Sequence, residues 1–150
     1  EIRPNGDVLG SYADVRKFVQ DTGLSGSRQA GESTIEVHHL LEDRLMQPFG
    51  VSRNSGRSVA LEATDHAHFS AEVPAHLPRK TFFDIDDIYH AHAKVYREAG
   101  HPEWIGEIRQ FLRQNRARIQ TQYQQGLVPG ADLGDYAERL QRVTRFLDGL

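Results

Sequence analysis

The sequence predicts an α+β domain in which a small unit of strand, hairpin and helix is wrapped by α-helices and helix predominates overall. Three observations point there. Extended, β-prone runs bracket a turn-rich stretch between residues 34 and 61. From residue 84 to the C-terminus, apolar residues recur at helical spacing. The chain has 150 residues, 38% of them hydrophobic, which suits one core. The expected layout is an N-terminal helix and loop over 1–32, a strand, hairpin and helix core over 33–80, and a helical extension over 81–150.

Each element has a local cause. Residues 1–10 read as a loose lead-in containing an Asn5-Gly6 turn. Ser11 can cap a helix on which Tyr12, Val15, Phe18 and Val19 share a face, ending near Gly23. Residues 23–34 are rich in Gly and Ser and read as a loop. Thr34, Ile35, Glu36 and Val37 favour an extended approach to the adjacent pair His38-His39. Leu40, Leu41, Leu45 and Met46 then suit a short helical turn stopped by Pro48. Phe49–Val51 and Ser58–Leu61 are expected to pair as a hairpin around Arg53-Asn54-Ser55-Gly56-Arg57. Thr64 can cap the next helix, which carries Asp65, His66, His68, Phe69 and Glu72 and is closed by Pro74.

The second half reads as three helices. Asp84 or Asp86 can cap the first, with Ile88, His92, Val95 and Tyr96 inside and Gly100 with His101-Pro102 at its end. The second is expected to run unbroken from Glu103 through Trp104, Ile108 and Leu112 to Ile119. The third carries Tyr136, Leu140, Val143 and Phe146 after the break at 127–131. Their apolar stripes are ordinary packing faces.

Composition excludes several functions. Without cysteine there is no disulfide, no thiolate zinc site and no thiol catalysis. No run approaches the roughly 18 apolar residues of a membrane helix, and no signal-peptide pattern opens the chain. The first residue is Glu1 rather than Met, as in a piece of something longer. Net charge is −3, which does not advertise nucleic-acid binding, yet 15 of the 18 basic residues are arginine, the better bidentate phosphate ligand. Arg109, Arg113, Arg116 and Arg118 form one cluster able to hold phosphates or simply to face solvent. There is no Gly-x-Ser-x-Gly elbow and no phosphate-binding Gly-x-x-x-x-Gly-Lys loop. His39-Leu-Leu-Glu42 begins like an inverted zinc-protease motif but continues with Asp43 where that motif needs His.

The histidines carry the chemistry. Neighbours on an extended segment point to opposite sides, so His38 and His39 cannot easily ligate one ion. A strand-borne His38 and a helix-borne His66 could share a metal at about 2.0–2.1 Å, leaving positions for water and phosphate. His39, with an ordinary imidazole pKa near 6.5, would then be free to deprotonate water.

Val37-His38-His39-Leu40-Leu41-Glu42-Asp43-Arg44, Asn54 in its glycine-containing loop, and Leu61-Glu62-Ala63-Thr64-Asp65-His66 together resemble the HNH/endonuclease VII (His-Me finger) nucleases, especially the toxin domains of bacterial polymorphic toxins. The resemblance spans roughly residues 30–80. It implies a ββα-metal core, His38 and His66 as metal ligands, His39 as general base and Asn54 as brace of the loop that orients the base. Relatives often place another ligand one helical turn after the second, where this chain has Ser70. Glu36, Glu42, His68, His90, His92 or water are the candidates for that position.

The implied activity is metal-dependent hydrolysis of phosphodiester bonds in DNA, RNA being the other candidate substrate. Mg²⁺ is the expected working ion, with Zn²⁺ or Ni²⁺ able to occupy the histidines. A secreted or injected effector acting in the target-cell cytoplasm, with a cognate immunity protein, is the expected setting. The competing expectations are a helical binding or adaptor module with incidental histidines, and a metal-independent RNase.

Overall fold

The computed structural model describes residues 1–24, 34–130 and 136–150. Most of the expected 23–34 loop lies outside them. The fold is α+β: a three-stranded antiparallel sheet among seven helices of the described residues. Strand β1 (Leu9–Ser11) and helix α1 (Tyr12–Asp21) come first, then β2 (Ile35–His39) and the single turn α2 (Asp43–Met46). After 3-10 turns at Gln47–Phe49 and Arg53–Ser55 come β3 (Arg57–Glu62) and α3 (Ala63–His76). Helices α4 (Ile85–Glu98), α5 (Pro102–Gln114), α6 (Arg116–Gln124) and α7 (Tyr136–Asp148) complete the chain.

Strand order is β1-β3-β2, with Leu9 opposite Val59 and His38 opposite Val59 on the other edge. Helix α1 packs on one face of β2 and α3 on the other. The period-2 alternation of β2 therefore divides its side chains between two helices. One apolar core runs from Leu9 through Phe69, Trp104 and Tyr123 to Leu147. It includes β1, so the N-terminal segment belongs to the central sheet rather than standing apart from it.

Four local expectations are corrected. The lead-in is not loose: Ile2 bridges Val8, and Leu9–Ser11 pairs with β3. The hairpin does not pair Phe49–Val51 with Ser58–Leu61. Gly50 has a φ of 75°, which interrupts the extended run, and Phe49 is buried against Tyr123, so β3 takes β2 and β1 as partners instead. Thr64 is not the cap of α3, which starts at Ala63 as the Ala63 amide bonds the Thr34 carbonyl, and Pro74 lies in its last turn rather than beyond it. The Glu103–Ile119 helix is two helices, because the Asn115 side-chain amide donates to the Phe111 carbonyl and its backbone leaves helical geometry.

Three other ends follow the sequence, whereas the turn expected over Leu40–Met46 covers only Asp43–Met46 and runs on into a 3-10 turn that contains Pro48. Ser11 Oγ accepts from the Asp14 amide at 3.2 Å, Asp84 and Asp87 form a reciprocal capping box, and Gly100 closes α4 with a φ of 81°. Asp84 also ties the C-terminal helix to the rest. Its fully buried carboxylate takes three hydrogen bonds from two guanidinium nitrogens of Arg139, one contact from Arg142 and the Tyr123 hydroxyl at 2.6 Å.

Candidate active site

The two expected faces of β2 are realised. His38 is buried against α3, its ring 5.2 Å from that of His66 and 5.6 Å from that of Phe69. His39 turns to the other side and stacks flat on Tyr12 of α1, centroids 4.4 Å apart at 6°. All three imidazoles line one cleft of about 430 Å³ together with Glu42, Asp43, Arg44, Arg53 and Ser70.

Hydrogen bonds fix which nitrogen of each ring is free. The Leu40 carbonyl can only accept, so the Tyr96 hydroxyl donates its one proton there, at 2.6 Å, and must accept from His38 Nε2–H at 2.8 Å. The His38 lone pair is consequently on Nδ1. Burial, reinforced by the neighbouring His66, His92 and His39, holds its pKa well below the ordinary value and keeps the ring neutral. His39 Nε2–H donates to the Arg53 carbonyl at 2.9 Å, leaving its lone pair on Nδ1. Burial lowers the His39 pKa, against the carbonyl of Arg53 and the charge of Asp43, while the Arg53 cation works with burial. His66 Nδ1 faces a Glu36 carboxylate oxygen at 2.6 Å, so in its neutral form the lone pair lies on Nε2.

The candidates for a further ligand separate clearly. Glu36 is spent on His66, the carboxylate–imidazole pairing that commonly orients a metal-binding ring. His92 is removed by its own hydrogen bonds: Nδ1–H donates to the Ile88 carbonyl at 2.7 Å and Nε2 accepts the Glu42 amide at 3.1 Å. Buried and pushed down to a pKa of about 4, it braces the backbone just after the histidine pair. His90 packs against Phe146 of α7, and His68 is exposed outside the cleft wall. Glu42 and Ser70 do line the cleft, and Glu42 Oε1 is buried without a hydrogen bond while Oε2 pairs with Arg44 at 2.7 Å.

Asn54, expected to brace the loop that orients the base, lies in the Arg53–Ser55 turn beside His39. Its side chain is exposed and makes no hydrogen bond among the described residues; the group that His39 hydrogen-bonds is the main-chain carbonyl of the preceding Arg53. Three of the four clustered arginines are engaged elsewhere: Arg113 binds the Leu150 carbonyl, Arg116 pairs with Asp148, and Arg118 reaches the Gly50 carbonyl at 3.0 Å. The guanidiniums at the cleft are Arg44 and Arg53.

Sequence reasoning missed Tyr96, Tyr12 and Gly56. A Cβ at Gly56 would lie 2.7 Å from His39 Cδ2, so the bare glycine makes room for the ring. Among the described residues, ligand atoms of three acidic or imidazole groups converge within 4.8 Å only at Asp84, Asp86 and Asp87. Asp84 there is neutralised by Arg139 and Arg142, and Asp87 by Lys80 at 2.9 Å, so the group is an ion-pair node of the fold. No protein-family model matches the chain, and no curated protein or solved structure is significantly similar to it.

Proposed function

We propose that this chain is a metal-dependent endonuclease of the ββα-metal type, formed by β2, β3 and α3, that hydrolyses phosphodiester bonds in DNA as an antibacterial toxin module. One observation carries the reading. Three imidazoles at a single cleft are each tethered through one nitrogen, which leaves His39 Nδ1 on one face of β2 and His38 Nδ1 and His66 Nε2 on the other.

The residues fit a divalent cation. His38 is held neutral and His66 is oriented by a carboxylate, as metal-binding imidazoles require. The buried, unpartnered oxygen of Glu42 adds negative potential to the same cleft. His38 Nδ1 and His66 Nε2 would hold the ion, with water filling the places that Ser70 leaves. When bound, it would supply Lewis-acid stabilisation of the phosphate and the leaving oxygen.

The chain's own groups do the rest. Arg44 and Arg53 present guanidiniums that can orient a phosphate. His39 Nδ1 accepts a proton from water, and as positive charge develops on the ring the Arg53 carbonyl at Nε2–H stabilises it. The lowered pKa keeps His39 in its basic form at neutral pH. As a toxin the domain would be secreted or injected, act in the cytoplasm of the target cell and meet a cognate immunity protein in the producer.

Incubating supercoiled plasmid with the pure chain and Mg²⁺ or Mn²⁺ tests the proposal. Cleavage is expected, lowered about 10²–10⁴-fold in His39→Ala with Ni²⁺ affinity retained, whereas His38→Ala and His66→Ala lose Ni²⁺ binding by calorimetry. Wild-type protein that leaves DNA intact, or His39→Ala that cuts at the wild-type rate, overturns it. Cleavage of RNA in excess chelator would transfer the activity to the metal-free alternative.

A further inference from the structure

We propose that Tyr12 of α1 is a positioning residue for the base: with Arg53 and Gly56 it forms a socket that holds the His39 ring in one orientation and one tautomer. The inference rests on the nuclease reading for its kinetic consequence, but the socket itself is a matter of geometry. The two rings lie 6° from parallel with centroids 4.4 Å apart, so Tyr12 covers one face of His39. The Arg53 guanidinium sits 5.0 Å from the Tyr12 ring centroid and donates from Nη2 to its hydroxyl at 3.0 Å. The main chain of the same Arg53 accepts His39 Nε2–H, and the Tyr12 amide donates to the Gly56 carbonyl at 2.8 Å. The edge of the imidazole lies so close to Gly56 that any Cβ there would overlap it.

These contacts form a closed loop. Tyr12 is anchored through its main chain to Gly56 and through its hydroxyl to Arg53, and both of those residues touch His39. Rotation of the imidazole about Cβ–Cγ would break the stack and the carbonyl hydrogen bond together, or drive the ring into Gly56. Stacking of this kind contributes beyond burial alone. Tyr12 touches none of the groups assigned to metal binding, so its role is orientation of the base.

The test compares Tyr12→Leu, Tyr12→Phe and Tyr12→Trp in the full chain. Tyr12→Leu should lower kcat about 10- to 100-fold, the scale of a misplaced catalytic group, with KM and Ni²⁺ affinity within about twofold. Tyr12→Phe and Tyr12→Trp, which keep a flat ring, should restore kcat to within about threefold of wild type. Imidazole ¹⁵N spectra should show His39 as a single Nε2–H tautomer in wild type and both aromatic variants, and as a tautomer mixture in Tyr12→Leu. A Tyr12→Leu protein with wild-type kcat and an unmixed tautomer overturns the socket. If wild-type protein cleaves nothing, the nuclease reading fails and the ¹⁵N spectra alone decide the socket.

Discussion

At the scale of the residue, His39 depends on an atom that is missing. The glycine at 56 has an ordinary φ of −60°, so its identity follows from the 2.7 Å approach of the His39 ring edge and not from backbone strain. Gly56→Ala must displace either the imidazole or the Arg53–Gly56 turn. Cleavage should fall at least about tenfold while calorimetric Ni²⁺ binding at the proposed His38–His66 site is unchanged. A fully active Gly56→Ala protein would show that the ring has room to spare.

Tyr96 makes the matching case for His38. Removing its hydroxyl in Tyr96→Phe leaves both His38 Nε2–H and the Leu40 carbonyl without their partner inside the core. The loss should be about 1–3 kcal/mol in urea unfolding. Ni²⁺ affinity should weaken by about 10- to 100-fold, because the tether that orients the proposed ligand His38 is gone. Unchanged affinity would detach Tyr96 from the metal site.

The elements show what the sequence could and could not disclose. That His38 and His39 face opposite ways follows from the two-residue period of a strand, which is why their separation onto two faces was legible at once. The caps were legible too, because Ser11 and Asp84 act within three residues of themselves. Tyr96 was not, since it meets His38 58 positions away along the chain and nothing local marks it. The false hairpin has a similar cause: Phe49–Val51 is too short to display alternation, and the burial of Phe49 against Tyr123 decided its path. The contact of His39 with the Arg53 carbonyl left no mark in the sequence, because any residue at position 53 supplies that main-chain atom.

Between elements, the tie from α4 to α7 is the most concentrated. Burial alone would raise the Asp84 carboxyl, but hydrogen bonds from Arg139 and Tyr123 outweigh it and bring the pKa below its usual value. Arg139→Met leaves that buried carboxylate without its main cation, at a cost of about 3–5 kcal/mol in urea unfolding. Neither residue lines the cleft, so cleavage assayed well below the melting temperature should stay near wild type. A loss below about 1 kcal/mol would mean that Arg142, which also pairs with Asp84, suffices alone.

For the whole molecule, these groups set a stability profile with two steps in acid. His92 titrates at about 4 when folded and near 6.5 when unfolded, so between those values the unfolded chain binds more protons than the folded one. Stability is therefore complete above about pH 6.5 and falls as pH drops toward 4, by about 3 kcal/mol from His92 alone. His38, lowered in the same sense, adds to the fall. Asp84 acts later: its depressed folded pKa contributes stability that is present above the unfolded carboxyl value near 4 and is lost only below it. Urea unfolding at pH 7.5, 5.5 and 4.5 should trace the first step, and a stability independent of pH across that range would refute it. His92→Gln, which can still accept the Glu42 amide, should flatten the His92 share of that step. Saturating Ni²⁺ at the proposed His38–His66 site should steepen it, because metal-bound imidazoles must be neutral and acid then removes the metal along with the fold.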